Sequence, residues 1–258
     1  MSHFSSPSLG SRLLAWMPFV LSAAAVALVI ELSISRPLAG AVLGAFAAAL
    51  AISELRVRRR VRRLLASGDI HAVLGVWEAA LSRLPNRETM GPLFIATAFA
   101  ANGMTERARR ALARSVRGQA WDSAVEQRLF VETLLDAFEG ERQRALERAE
   151  EIHCLPLPTA SPFLRARVLL LRHALVALAR AFARTSTPDD ARLLERAAHK
   201  SPLVHWAMRY AAAIAHIDHR EPERARALIA SAPRWPEESA FHFFHEEIVA
   251  ELSAPASA

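Results

Sequence analysis

The chain is poor in the residues that build small cross-linked or β-rich folds. Its only cysteine is Cys154, its only lysine is Lys200, and it holds one tyrosine and nine glycines in 258 residues. A lone thiol excludes an intramolecular disulfide framework and a cysteine-rich zinc site, which leaves Cys154 to be read as a small apolar core residue. The fold therefore stands on apolar burial. Ala, Leu and Val dominate while Gly and Asn are scarce, so the composition is helical. The motifs of nucleotide and hydrolase chemistry are missing too: there is no Gly-x-x-x-x-Gly-Lys-Ser/Thr, no Gly-x-Gly-x-x-Gly behind a strand and no Gly-x-Ser-x-Gly. Two histidine pairs, His216 with His219 and His242 with His245, could approach a metal with Asp218, Glu246 and Glu247. Neither has the His-Glu-x-x-His order of a zinc metalloprotease, and surface or inter-helix histidine is the expected role. No catalytic residue, metal site or cofactor is expected, and the chain is not read as an enzyme.

What is abundant is arginine, and its placement decides what the charge means. The formal charge is +6 and the isoelectric point near 10.9. Arg12, Arg36 and the six arginines Arg56, Arg58, Arg59, Arg60, Arg62 and Arg63 are eight of the 32 basic residues, against Glu31 and Glu54 among the 26 acidic ones. Residues 64–258 are therefore formally neutral. A nucleic-acid-binding domain carries its surplus on one face of the folded body. Here the surplus sits in one short stretch, and no nucleic acid partner is expected.

That stretch follows two uncharged runs. Leu13 to Ile30 spans 18 residues, about 27 Å as a helix, and Pro37 to Ser53 spans about 26 Å, both near the roughly 30 Å hydrocarbon thickness of a bilayer. Glu31, Arg36 and Pro37 suit a tight turn between them, and Trp16 suits an interface. The expectation is a transmembrane hairpin over 13–53 after a cytoplasmic segment 1–12. A polybasic join at 54–63 then places both the N-terminus and the body in the cytoplasm, as in a bacterial inner-membrane protein. The six arginines would touch anionic headgroups. Arg12 and Ala23-Ala24-Ala25 also fit a signal peptide, although a cut there would leave the second run behind. Gly40 and Gly44 form a Gly-x-x-x-Gly pair suited to hairpin packing or to a homodimer.

After Val61 the pattern becomes helix-turn-helix. The clearest unit has Pro92, Ile95, Ala96 and Phe99 on a first helix, Gly103 in the turn, and Ala108, Leu112 and Ser115 on a second. Val73, Trp77 and Ala80 precede the Ala108 pattern by 35 residues. Ala145, Ala149 and Ile152 follow it by 37, then Ala191, Leu194 and Ala198 by 46, then Ala225, Ile229 and Ala232 by 34. Gly68 and Gly140 stand at the equivalent turns. The long interval coincides with residues 155–162, whose three prolines place a loop there. Asp136 and Glu195 stand where the pattern prefers an apolar or aromatic side chain.

These units resemble the tetratricopeptide repeat, in which a small residue at the crossing lets two helices approach closely. The resemblance implies an all-α chain: a transmembrane hairpin, then a tetratricopeptide-like solenoid over 64–252 closed by a capping helix, then a tail at 253–258. The order of parts is similar to the HemY-type membrane proteins of bacteria, which implies an accessory role in a membrane-associated pathway. An assembly factor acting through its hairpin is a further alternative. The foremost expectation is a membrane-anchored scaffold that holds a protein partner in the solenoid groove. The repeat pattern lines that groove with Phe94, Thr97 and Ala101, then Phe130, Leu134 and Phe138, with Arg180 and Arg184 as a charged rim. The alternative is a groove filled by the chain itself, for instance by residues 155–162.

Overall fold

The computed structural model describes residues 37–158 and 161–253, and the chain divides into two compact units, residues 1–60 and 61–258. Every regular element among the described residues is a helix. The first, α1 (Pro37–Leu65), opens on a proline whose missing N–H is no loss at a helix start, and it runs for 29 residues.

The course of α1 corrects the expected membrane hairpin. Among the described residues no helix is long and apolar enough to cross a membrane. The uncharged run 37–53 is not a helix of its own but the front part of α1, which continues without a break through all six arginines. At about 26 Å that run also stops short of the hydrocarbon thickness. Arg56, Arg59, Arg60, Arg62 and Arg63 lie exposed along the helix. The all-α part of the expected class fits the described residues, and the transmembrane hairpin does not. The other expected span, 13–30, lies outside the described residues, as do residues 1–12 and the tail beyond Ser253.

From Val61 onward the helices come in pairs. The end of α1 is followed by α2 (Ile70–Leu81). Then α3 (Arg87–Ala101) packs on α4 (Thr105–Ala113), and after a short α5 (Gln119–Ser123), α6 (Val125–Phe138) packs on α7 (Arg142–Cys154). Next α8 (Pro162–Phe182) packs on α9 (Asp190–Lys200). A 3-10 turn at Pro202–Val204 leads to α10 (His205–Asp218), which packs on α11 (Pro222–Ile229), and α12 (Ala240–Ser253) closes the described chain. The positions expected at the crossings, Val73, Ala108, Ala145, Ala191 and Ala225, are all buried. Alanine also fills the buried faces of the first helices, at Ala96 and Ala100 on α3 and at Ala207, Ala211, Ala212 and Ala215 on α10. Small side chains there let helices approach with little void.

Each pair turns on one left-handed residue. Gly68, Gly103 and Gly140 hold φ of 78°, 74° and 83°, a region open to glycine because it lacks Cβ. Arg184 and Arg220, at φ 59° and 60°, take the same place in the last two pairs. In four of these turns the next N–H reaches back to a carbonyl of the finished helix: Met104 to Phe99, Glu141 to Asp136, Thr185 to Arg180 and Glu221 to His216, at 2.8–3.0 Å. This is the bond that terminates a helix at a left-handed residue. Pro92 lies inside α3 and cannot donate to Glu88. The freed Glu88 carbonyl accepts from Val116 N–H at 3.2 Å, and Thr89 Oγ1 donates to the Val116 carbonyl at 2.8 Å. The proline thereby ties the loop after α4 to the start of α3.

The first helices touch in succession, α3 with α6, α6 with α8 and α8 with α10, and α10 and the 3-10 turn come back to α3. The second unit is thus a closed circuit of first helices. One end of that circuit is covered by α12. Ala240 N–H donates to the Gly103 carbonyl at 2.8 Å, Ser239 Oγ donates to the Asn102 carbonyl at 2.9 Å, and Arg107 pairs with Glu238. At its far end Glu251 meets Arg184. Between these clasps Phe241 is fully buried, 5.2 Å from the ring of Phe138 and 5.0 Å from Tyr210, and Phe244 lies 5.0 Å from Phe182. Each such ring pair adds about 0.5–1.5 kcal/mol beyond its buried area. The chain therefore fills this part of its own groove, with α12 and not with the proline segment.

Two further expectations are corrected. Cys154 is exposed, because it ends α7 on the side away from the buried Ala145, Ala149 and Ile152. Asp136 is fully buried although no aromatic replaces it. Arg109 of α4 and Arg148 of α7 both bond its carboxylate, so an ion-paired acid joins two second helices where the repeat pattern places a ring.

Candidate functional site

The opposite end of the circuit, where the first helices begin, is open. The four first helices end at matching turns, yet α8 has 21 residues where α3 has 15 and α6 and α10 have 14. Its surplus lies at its N-terminus. Six or seven residues at about 1.5 Å each make an overhang of roughly 10 Å. Ser161 caps it, accepting from Leu164 N–H, and Pro162 occupies the first helical position. Ser161 to Arg167 are all exposed, and Phe163 keeps 81 % of its surface.

Beneath the overhang lies a cavity of about 510 Å³. Its walls are largely apolar: Leu65 from the end of α1, Trp77 from α2, Phe94 from α3, Phe130 from α6, Val168 and Leu171 from α8, and Leu203 and Val204 from the 3-10 turn. Leu164, Val168 and Leu171 follow one face of α8 at helical spacing, so exposed overhang and cavity wall form one strip. Three polar features break that surface. Gln127 Nε2 donates to Thr97 Oγ1 at 2.6 Å, and Thr97 in turn donates to the Leu93 carbonyl. Arg172, with 3 % of its side chain exposed, donates to Glu126 at 2.9 Å and to the carbonyls of Leu155 and Pro156. Ser201 is buried, and its Oγ has no hydrogen-bond partner among the described residues. An unpartnered buried hydroxyl is costly unless a partner arrives. His205 stands just past the lining turn. Burial pushes its imidazole below the ordinary range against the bond to the Ala198 carbonyl, so it adds no positive charge here at neutral pH.

Of the groove residues read from the repeat pattern, Phe94, Thr97 and Phe130 line this cavity. Ala101, Leu134 and Phe138 are buried nearer the other end, Phe138 under α12. The two arginines read as a rim carry ion pairs. Arg180 is bonded to Asp190, and Arg184 to Asp218 and Glu251, so both are spent within the fold. Asp190, 2 % exposed, feels burial raising its pKa, but the Arg180 guanidinium and the Thr187 N–H outweigh this and hold it below the usual carboxylate range. Three of the paired histidines have other partners. His216 is clamped between Glu195 and Glu221, His245 meets the Tyr210 hydroxyl, and His242 faces Glu246. Among the described residues no cluster could hold a metal ion.

The cavity residues the repeat pattern missed are Trp77, Val168, Leu171, Arg172 and Ser201. The signal for two of them, Val168 and Leu171, was the stripe they form with Leu164 in a helix longer than its counterparts. Ser201 had none. A second cleft, of about 620 Å³ between α2 and α3, is bounded by Gly75, Gly91 and Pro92, and among the described residues no unpartnered buried polar atom faces it. No protein-family model, no curated protein and no solved structure matches this chain, so the geometry of the open cavity and its overhang stands as the ground for its function.

Proposed function

We propose that residues 61–258 form a binding scaffold that holds a segment of a protein partner in the open cavity and along the α8 overhang. The observation that carries this reading is the strip from Phe163 and Leu164 into the cavity. It is contiguous apolar surface on a helix that projects past its neighbours, and such surface on a small protein marks an interaction site. A helix that extends beyond the core exposes large side chains that gain little stability from the fold, which leaves them available to a partner. The half-buried Phe94 and Phe130 then serve as the deeper contacts, where a partner side chain loses the most water. This reading needs no membrane anchor.

A photo-crosslinking side chain at Phe130 or at Phe163 of the full chain, expressed in its own host, tests it. The expected result is one discrete heavier species common to both positions and missing when the probe replaces Val116, which is exposed and apolar but does not line the cavity. Equal labelling from Val116, or no product from either strip position, refutes the reading.

A further inference from the structure

The charges around the cavity are one-sided, and they specify what kind of segment would sit there. Arg167 lines the cavity, Arg165 lies just before it on α8, and Lys200 adjoins the lining Ser201. All three basic side chains are exposed, and among the described residues none has an acidic or hydrogen-bonding partner. Elsewhere in the unit Arg107, Arg109, Arg148, Arg172, Arg180 and Arg184 each hold a carboxylate. The one acid lining the cavity, Glu126, is already held by Arg172. The open end of the apolar strip thus carries basic groups without acidic partners.

From this we infer that the occupant is an acidic amphipathic helix of a partner protein, its apolar residues laid along Leu164, Val168 and Leu171 and into the cavity, its carboxylates facing Arg165, Arg167 and Lys200. The inference rests on the binding reading above and adds the chemistry of the partner. A helix lying beside α8 presents residues at three- and four-residue spacing to the matching stripe. Its acidic flank meets guanidinium groups suited to carboxylates. At the inner end, Ser201 Oγ is free to bond a polar group of the guest, while the Gln127 and Thr97 pair is satisfied and rejects none. The basic rim also sets the rate of encounter, which falls as salt rises.

Three labelled synthetic peptides of equal length, titrated into the full chain by fluorescence anisotropy, test the assignment. The first alternates leucines at helical spacing with glutamates, the second replaces every glutamate by lysine, and the third keeps the glutamates but replaces every leucine by serine. The leucine-glutamate peptide is expected to bind at least ten-fold more tightly than either other. The double charge reversal Arg165→Glu and Arg167→Glu, both on exposed side chains, is expected to remove that preference and favour the leucine-lysine peptide. Equal binding of the two leucine peptides, or a preference unmoved by the charge reversal, overturns the acidic assignment while leaving a partner-binding apolar strip. Tight binding of the serine-glutamate peptide overturns it as well, because charge alone would then suffice. Binding by neither leucine peptide removes the site and the assignment together.

Discussion

Gly103 and Gly140 hold the same backbone conformation in consecutive turns, and only one of them is covered. At φ of 74° and 83°, alanine at either position is expected to cost about 1–2 kcal/mol for left-handed backbone. Beyond that the two diverge. A Cβ at Gly140 would meet nothing within 4 Å, whereas at Gly103 it would lie 2.8 Å from Ser239 Oγ and 3.1 Å from the backbone nitrogen of Phe241. Neither obstacle gives way easily. Ser239 Oγ is bonded to the Asn102 carbonyl, and the Phe241 backbone moves only by pulling Ala240 N–H from the Gly103 carbonyl. Overpacking of this kind costs roughly 1–3 kcal/mol. Gly103→Ala is therefore expected to lose about 2–5 kcal/mol and Gly140→Ala about 1–2 kcal/mol. The difference isolates the docking of α12. Urea unfolding of the full chain followed by far-ultraviolet circular dichroism gives both losses, and hydrogen exchange over residues 240–253 shows whether α12 is released. Equal losses in the two variants, or unchanged protection of α12 in Gly103→Ala, would refute the docking described here.

Two further outcomes are expected. Asp136→Ala leaves Arg109 with Glu139 and Arg148 with Glu132, so its loss should fall below the 3–5 kcal/mol of a broken, fully buried pair, at about 2–3 kcal/mol. The same urea titration checks this, and a loss under about 0.5 kcal/mol would show that the carboxylate does not join α4 to α7. Tyr210, the only tyrosine, has its phenol pushed well above its ordinary range by burial, although the hydrogen bond from Trp235 opposes the shift. A folded-state pKa above the unfolded value near 10 means the phenol's contribution to stability is whole below that pH and drains away as pH climbs toward the folded value. In an alkaline titration read by tyrosinate absorbance, ionisation should coincide with loss of helical dichroism, and a tyrosinate signal near pH 10 from a still-helical chain would contradict the burial.

The features legible in the sequence were those written within one helix pair. Gly68, Gly103 and Gly140 stand five residues before Val73, Ala108 and Ala145, and that spacing carries both the left-handed turn and the buried crossing. Phe94, Thr97 and Phe130 were legible as groove positions for the same reason. Features that failed to show depend on partners far along the chain. Arg184 occupies a glycine place and is held by Asp218 and Glu251, 34 and 67 residues away. The cover over Phe138 comes from Phe241, and Asp136 is satisfied by side chains of two other helices. The apolar run before the arginines misled because charge-free length was read as an independent span, when nothing in the sequence ends the helix there. Cys154 misled because a residue type was read without its helical face.

The contact between α10 and α3 fixes something an open array leaves free. A stack of helix pairs can gain or lose a unit at little cost, because each unit meets only its neighbours. Here the last first helix also meets the earliest full one, and Ser239 and Ala240 must reach Asn102 and Gly103. Duplicating the α6–α7 pair would widen the circumference, part α10 from α3 and strand α12 short of its clasp. Copy number is therefore locked in this chain, and variation has room only in the loops and in the length of helices at the uncovered rim, where α8 has already taken it.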